Sequence, residues 1–176
     1  PMNSGAEAVE TAIKAARRWG YRSKNIKSGK AEIIVADGNF HGRTTTIISF
    51  SSSPNSKEDF GPLTPGFISV EFGSAKAIGE MINENTAAVL IEPIQGEGGI
   101  IVPPENYLPE VRELCTKNNV LMILDEVQSG LGRTGKMFAF EHSNIQPDGL
   151  ILGKALGGGF MPVSCFLSSS EVMQWL

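Results

Sequence analysis

The stretch LMILDEVQSGLGRTGK at Leu121–Lys136, followed by PDGLILGKALGGG at Pro147–Gly159, decides the fold. Each contains a short apolar run, LMIL in the first and LIL in the second, and charged residues follow both runs closely. Runs that are apolar throughout are typical of strands in a parallel sheet that is covered on both faces. Because ligands bind outside the carboxyl ends of such strands, we expect the carboxylate of Asp125 and the amine of Lys154 to face the same crevice.

Outward from these two strands, the chain alternates between strand-like and helix-like patterns. Apolar runs predict strands, and apolar residues at three- and four-residue spacing predict helices. The predicted strands are Ile33–Ala36, Phe67–Val70, Ala87–Ile91, Val120–Leu124 and Leu150–Leu152, and the predicted helices are Ala6–Trp19, Ala75–Asn83 and Glu105–Lys117. This alternation predicts one α/β domain with three layers, α/β/α, around a mostly parallel sheet. The segment Ser51–Pro65, rich in Ser, Pro, Asn and Gly, is predicted to be a long surface loop.

Composition excludes several classes of protein. The 176 residues are 41% hydrophobic, which is enough for one domain with a core, and the formal net charge is -4. Lys and Arg are scattered, so the basic patch of a nucleic-acid-binding protein is missing. No apolar run reaches the eighteen or so residues of a membrane span. The two cysteines, Cys115 and Cys165, have no metal-ligand spacing. We therefore expect a cytoplasmic protein without a metal site.

At both ends of the chain, the sequence signals that are typical of a helix are incomplete. Position 1 is Pro rather than an initiator Met, and the helix-start signal follows at once. Residues Glu171–Leu176 begin a helix-like pattern without a stop signal. We expect the chain to be a piece of a longer protein.

Single residues of the predicted site have ordinary explanations as well as chemical ones. A carboxylate at the end of a buried strand, such as Asp125, can be a helix cap or half of an ion pair. A lysine such as Lys154 is usually a solvated surface residue. The small residues Ser4, Gly5 and Ala6 can form an ordinary helix cap, or they can bind an anion at the helix N-terminus. Taken separately, these residues leave both explanations open.

Taken together, the same residues describe a site for an aromatic, phosphorylated ligand that carries a carbonyl group. Phe40 supplies a flat side chain after the strand that ends at Ala36, although it can also be part of the core, and Arg43 can be a simple surface charge. Pyridoxal phosphate requires an anion-binding turn, an aromatic surface, a carboxylate for the ring nitrogen and an amine. The sequence therefore predicts a pyridoxal-phosphate site.

The motifs also resemble a known family. The two stretches that open this section are similar to the signature of the class III, or omega-amino-acid, aminotransferases. Within that class, the further runs MNSGAEAVETAIKAARRWGY, GNFHGRT, FGPLTPGF, IEPIQGEGGI and FMPVS resemble the ornithine aminotransferases, and together they span the chain. Acetylornithine and gamma-aminobutyrate aminotransferases share the cofactor motifs and remain alternatives.

The resemblance implies a fold, a reaction and an assembly. It implies that residues 1–176 form most of the large domain of a fold-type I enzyme, without the N-terminal segment and the C-terminal small domain. The implied reaction transfers the delta-amino group of ornithine to 2-oxoglutarate, giving glutamate semialdehyde and glutamate. The enzymes of this class are homodimers whose partner subunit completes the phosphate site. We therefore expect the isolated piece to be inactive.

The resemblance also assigns roles to residues of this chain. Lys154 would bind the cofactor aldehyde covalently and move the substrate proton, and Asp125 would pair with the ring nitrogen. The other implied contacts are Val127 and Phe40 on the two ring faces, Gln128 at the ring hydroxyl, Ser4, Gly5 and Ala6 at the phosphate, and Glu92 behind Gln128, with His41 counted as cofactor-binding but given no separate function. Arg43 would bind a substrate carboxylate, and Glu97 resembles the glutamate that pairs with a carboxylate-binding arginine.

Three rival interpretations are weaker. GLGRTGK at Gly130–Lys136 fits part of a P-loop, but Met137 stands where the magnesium-binding Ser or Thr is required. GKALGGG falls short of the GxGxxG pattern of nicotinamide-dependent dehydrogenases. The remaining rival is a catalytically inactive protein of the same fold that serves as a binding or scaffold module.

Overall fold

The structure is a computed structural model that describes residues 1–176. It contains six strands and five α-helices, joined by loops and short 3-10 turns. The strands are β1 (Glu32–Ala36), β2 (Phe67–Val70), β3 (Thr86–Ile91), β4 (Leu121–Asp125), β5 (Gly149–Leu152) and β6 (Cys165–Ser168). The helices are α1 (Gly5–Arg22), α2 (Thr45–Ile48), α3 (Ala75–Met81), α4 (Tyr107–Lys117) and α5 (Ser170–Met173).

All strands form one sheet in the order β2-β1-β3-β4-β5-β6. The first five are parallel to one another, and β6 pairs antiparallel with β5 at one edge. The predicted mostly parallel sheet is therefore confirmed. Strand β6 was not among the predicted strands, because Phe166 is its only fully buried residue and a half-exposed edge strand carries a weak apolar signal.

Helices cover both faces of the sheet. Alternate side chains along each strand point to opposite faces, so that Ile33 and Val35 pack against α1 while Ile34 and Ala36 pack on the side of α3 and α4. Every residue of β3 and β4 is buried, which explains why these strands are apolar throughout. The predicted three-layer α/β/α architecture is confirmed.

Helix α1 lies close to the sheet because its inner face consists largely of small residues. Ala8, Ala12 and Ala16 are completely buried, and Trp19 closes the same face. The helix begins at a capping box, in which the Ser4 side chain accepts from the Glu7 N–H and the Glu7 carboxylate accepts from the Ser4 N–H. This cap fixes the first turn of the helix above the carboxyl end of the sheet.

Hydrogen bonds join the N-terminal segment to the segment before β6. The N–H of Met2 donates to the carbonyl of Ser164 at 2.7 Å, and the N–H of Ser164 donates back to Met2 at 2.8 Å. The Ser164 hydroxyl also donates to the carbonyl of Ser4 at 2.6 Å. The start of α1 is therefore attached to the segment that leads into β6.

The predicted helices and the other predicted strands differ from the structure only at their ends, whereas the short helix α2 was not predicted. The predicted surface loop Ser51–Pro65 contains a single 3-10 turn, Pro54–Ser56. No helix in the chain combines the length and the apolar character that crossing a membrane would require.

Candidate active site

A cavity of about 190 Å³ lies at the carboxyl ends of the central strands. Its walls come from the start of α1, from the loop after β1 and from the segments that follow β3, β4 and β5. The lining residues are Gly5, Ala6, Phe40, His41, Gly42, Glu92, Ile94, Glu97, Asp125, Val127, Gln128 and Lys154. All the predicted site residues except Ser4 and Arg43 belong to this set, so residues far apart in the sequence meet in one crevice.

A larger and more open groove of about 880 Å³ lies at the opposite end of the sheet. It runs past the amino ends of β4 and β5, where Arg112 and Asp148 form a 2.7 Å ion pair. Ligand chemistry in parallel sheets belongs to the carboxyl ends of the strands. The smaller cavity, with its buried carboxylates and its amine, is therefore the candidate site.

Asp125 is held at both of its carboxylate oxygens. It is the last residue of β4 and is buried. Its Oδ1 accepts from the Val127 N–H at 3.0 Å, and its Oδ2 lies 2.7 Å from Nδ1 of His41. Because a carboxylate has about four acceptor positions, Asp125 can still accept a further hydrogen bond from a ligand in the cavity.

His41 is enclosed beside Asp125. Its ring packs against Phe50 with centroids 5.9 Å apart, and its Nε2 has no hydrogen-bond partner. Burial by itself lowers the pKa of His41, but the hydrogen bond with Asp125 and the negative charges of Asp125 and Glu92 outweigh burial and raise it above its ordinary value. The proton on this ring is therefore stabilised by the carboxylates around it.

Lys154 enters the cavity from the turn that follows β5. Its backbone is in the left-handed region with φ 41°, which non-glycine residues adopt at a cost of about 1 kcal/mol or more and which is enriched at functional sites. The side chain is about half exposed; its amine donates to Oε1 of Gln128 and lies 3.8 Å from Oε1 of Glu97. The amine is thus accessible to a ligand and is directed by two polar neighbours.

Gln128 occupies space that Gly96 leaves free. A Cβ added at Gly96 would lie 2.0 Å from Nε2 of Gln128 and 2.5 Å from its Cδ. The turn after β3 therefore supports the amide that contacts Lys154.

Two buried side chains that follow β3 join the loops on either side of the cavity. Glu92 accepts from the Phe40 N–H at 3.1 Å and from the Gly96 N–H at 3.4 Å. Gln95 donates from Nε2 to the carbonyl of Asp37 at 2.8 Å, while its backbone pairs with Ile101. We call Glu92 and Gln95 the loop clamp.

The surroundings of Glu92 in the loop clamp change the pKa of its carboxyl group. Burial raises the pKa of Glu92, although the charge of His41 and the N–H group of Phe40 act in the opposite direction.

Gln95 was not among the predicted site residues. A buried Gln within a glycine-rich turn has the same sequence pattern as an exposed one, so the QGEGG motif was the only available signal.

The start of α1 presents unpaired N–H groups to the cavity. Neither Gly5 nor Ala6 donates its N–H to another residue of the chain, as expected in the first turn of a helix. A Cβ at Gly5 would lie 3.1 Å from Cγ1 of Val127, so the helix start approaches the segment after β4 closely. Ser4 caps the helix and lies outside the cavity lining. Two of the three residues predicted to bind an anion therefore border the cavity.

Two further residues lie away from the cavity lining. Arg43 is exposed, and its guanidinium carbon lies 5.4 Å from the centroid of the Phe40 ring. Glu126 is buried and accepts from the N–H groups of Ala139 and Phe140 at 2.7 and 2.9 Å. Burial raises the pKa of Glu126. Glu126 thus anchors the end of the glycine-rich segment, while Arg43 covers the outer side of Phe40.

The sequence has extensive similarity to known proteins. The profile of the family described as Aminotransferase class-III matches residues 1–176. Ornithine aminotransferase 2 of Staphylococcus saprophyticus is 61% identical over 173 residues, which cover 98% of this chain and 44% of that relative. The chain thus spans less than half the length of the curated relatives it matches.

Solved structures share the fold over almost the whole chain. The ornithine aminotransferase of Toxoplasma gondii, crystallised with oxidised glutathione and partially occupied by PLP at its active site, has a TM-score of 0.98 and 44% identity. The match covers 99% of this chain and 42% of that one. The acetylornithine aminotransferase of Elizabethkingia anophelis has a TM-score of 0.83 and 45% identity, over 99% of this chain and 40% of that chain.

Proposed function

Because the chain belongs to the class-III aminotransferase family, we propose that the protein of which it is a part is a pyridoxal-phosphate enzyme that transfers the delta-amino group of ornithine to 2-oxoglutarate. The observation that carries this proposal is the meeting of the Lys154 amine and the buried Asp125 carboxylate in one cavity beneath the unpaired N–H groups of α1. Similarity to ornithine aminotransferases over 98% of the chain supports the choice of substrate.

The residues present fit pyridoxal phosphate. The free N–H groups of Gly5 and Ala6 suit a phosphate, because a helix N-terminus favours negative charge. Asp125 keeps acceptor capacity for a protonated ring nitrogen, and Phe40 and Val127 supply the apolar walls that an aromatic ring requires. The Ser4 hydroxyl, next to Gly5, is the third proposed phosphate ligand.

The bound cofactor would supply an aldehyde and a ring that accepts the electrons of a broken C–H bond. The chain's own residues would hold the reactants and move protons. Asp125 would accept a hydrogen bond from the protonated ring nitrogen, and Gln128 orients the Lys154 amine through its Oε1. Lys154 would hold the cofactor covalently, and its half-exposed amine, once displaced by the amine of the substrate, would carry the proton of the substrate carbon.

Arg43 is assigned to a substrate carboxylate, and Glu97 is assigned to an arginine that binds one. Arg43 stands outside the present lining beside Phe40, where it can bind a carboxylate at the cavity mouth. Glu97 lies 3.8 Å from the Lys154 amine and would pair with a carboxylate-binding arginine elsewhere in the full-length protein. Acetylornithine is the second candidate donor, supported by the Elizabethkingia structure. An amino-donor screen with ornithine, acetylornithine and gamma-aminobutyrate on the full-length enzyme decides between them.

The proposed assembly is a cytoplasmic homodimer in which residues 1–176 are most of the cofactor-binding large domain. The free thiols of Cys115 and Cys165 are compatible with a reducing compartment. Exposed apolar side chains, Phe160 at 93% and Ile100 at 76%, support an interface with a second subunit or with the rest of the protein.

Replacing Lys154 tests the function. In the full-length enzyme, Lys154→Ala should abolish the visible absorbance of the lysine-bound cofactor and reduce ornithine turnover about 1000-fold or more. Lys154→Arg keeps the charge but cannot form the covalent link, so it should lose the visible absorbance and the ornithine turnover to the same extent. Lys76→Ala is the control, since Lys76 is exposed on α3 and forms an ion pair with Glu80 away from the cavity. Near-normal turnover by Lys154→Ala would refute the proposed function.

A further inference from the structure

Arg43 stands between two contacts that join the loop after β1 to α1. Gly42, on one side of it, has φ 129°, and a Cβ added there would lie 2.8 Å from Cβ of Ala6. Thr44, on the other side, donates its hydroxyl to Oε1 of Glu10. Because Ala6 and Glu10 are four residues apart, they lie on the same face of α1 in successive turns. The loop is therefore attached to this face of α1 both before and after Arg43.

These contacts direct the Arg43 side chain away from the helix. The backbone of Thr44 is extended, with φ -73° and ψ 159°. Neighbouring side chains in an extended segment point to opposite sides, so Arg43 points away from α1 when Thr44 faces it. The Arg43 guanidinium carbon lies 5.4 Å from the ring centroid of Phe40, a residue of the cavity lining, and no carboxylate of the chain lies within ion-pair distance of it. The charge of Arg43 is thus left free for an anion at the cavity mouth.

The Thr44 hydroxyl contacts Glu10 instead of making a local contact. Thr44 is the N-cap residue of α2, a position where Thr commonly caps the helix, yet its side chain makes no capping hydrogen bond. Glu10 is half-buried and forms no ion pair. The hydrogen bond between them therefore serves to attach the loop to α1 rather than to start α2.

We propose that Thr44 and Glu10 are positioning residues for Arg43, whose hydrogen bond raises the affinity for the substrate carboxylate although neither residue touches substrate or cofactor. This inference rests on the proposed function, because it supposes that Arg43 binds that carboxylate. Loss of an interaction that acts equally on the bound substrate and on the transition state raises KM and leaves kcat unchanged. The expected signature is therefore a rise in KM at constant kcat.

Two substitutions separate the Thr44 hydroxyl from the rest of the side chain. Valine keeps the branched shape, whereas serine keeps the hydroxyl. In the full-length enzyme, Thr44→Val should raise the KM for ornithine about three- to tenfold with kcat within about twofold of the unmodified enzyme, because a hydrogen bond to a charged group is lost. Thr44→Ser should keep both values within about twofold. An unchanged KM in Thr44→Val, a larger fall in its kcat, or an equal rise in KM in Thr44→Ser would overturn the proposal.

The effect of Thr44 should also depend on the presence of Arg43. In the Arg43→Ala enzyme, adding Thr44→Val should change kcat/KM for ornithine less than about twofold, since the side chain that the hydrogen bond positions is absent. Lys14→Ala is the control, because Lys14 is exposed on α1 one turn beyond Glu10, and it should leave KM unchanged. A full effect of Thr44→Val in the Arg43→Ala enzyme would show that Thr44 acts by another route and that the proposal is wrong.

A further measurement requires neither substrate nor cofactor. In the cofactor-free full-length enzyme, Glu10→Ala should speed amide hydrogen exchange in residues 42–46, whereas Glu10→Gln should stay close to the unmodified enzyme because its amide oxygen accepts the same hydrogen bond. Equal exchange in the two variants would contradict the proposed attachment. If the unmodified enzyme transaminates no amino donor, the proposed function fails while hydrogen exchange still reports on the loop, so the two failures are distinguishable.

Discussion

Gly96 is a residue whose missing side chain supports the site. Its backbone lies against Gln128, and a methyl group there would overlap with the Gln128 amide. That amide contacts the Lys154 amine. The turn after β3 therefore controls the orientation of Lys154 although Gly96 itself carries no reactive group.

The substitution Gly96→Ala tests whether the position of the Gln128 amide depends on the absence of a side chain at residue 96. We expect the variant enzyme to fold, because the overlapping atoms belong to a flexible side chain, but to bind pyridoxal phosphate about tenfold more weakly because Gln128 must move. Gly79→Ala in α3 is the control: its added Cβ would meet Leu114 at 3.4 Å, and Ala should stabilise the helix by about 0.5–1 kcal/mol. Spectroscopic titration and thermal unfolding of both variants provide the comparison, and unchanged cofactor affinity in Gly96→Ala would contradict the role assigned to Gln128.

At the scale of elements, the loop clamp couples the segments that follow β1 and β3. Glu92 holds the N–H groups of Phe40 and Gly96, and Gln95 holds the carbonyl of Asp37. The aromatic wall of the cavity and the turn that carries Glu97 are thus fixed to each other rather than only to their own strands.

Removing the clamp should loosen both segments together. In the cofactor-free full-length enzyme, Gln95→Ala should increase amide hydrogen exchange in residues 37–41 and 96–101, because a buried hydrogen bond between the segments is lost. Ser74→Ala is a matched control, since it removes the N-cap of α3 at a cost of about 1 kcal/mol without touching either loop. Faster exchange in only one of the two segments would show that they are not coupled.

The central strands could be predicted from the sequence because burial on both faces leaves a continuous apolar run. Helix α2 could not be predicted, since four residues are too few for a helical period, and β6 is half exposed at an edge. The meeting of Asp125 and Lys154 could be predicted, because both follow parallel strands at the same edge of the sheet. The clamp could not, because the bond from Gln95 to Asp37 joins two loops without a sequence period.

At the scale of the whole molecule, apolar side chains remain on the surface beside the site segments. Phe160 and Met161 follow the glycine-rich turn after Lys154, and Ile100 and Val102 follow the turn that carries Glu97. Phe160 is 93% exposed and Val102 is 69% exposed. Exposed apolar side chains that lie together on a surface are typical of sites that contact another protein segment.

The isolated 176-residue chain should therefore associate with itself or precipitate. We expect sedimentation equilibrium to show an average mass that rises with concentration, and the double variant Phe160→Gln, Met161→Gln to shift the distribution toward the monomer. Met81→Gln, at another exposed apolar position on α3, should leave the distribution unchanged. A concentration-independent monomer for the unmodified chain would contradict this expectation.

The hydrogen bonds between Met2 and Ser164 also have a consequence for the order in which parts of the domain fold. During synthesis the first residues of this chain leave the ribosome long before Ser164, so the start of α1 lacks these partners until almost the whole sheet has been made. We expect these contacts across 160 residues to form late in folding, because a long loop must close first. We therefore expect the start of α1, with the free N–H groups of Gly5 and Ala6, to reach its final position among the last parts of this domain. If these groups bind phosphate as proposed, a ribosome-bound chain that ends before Ser164 should be unable to retain a phosphorylated ligand there.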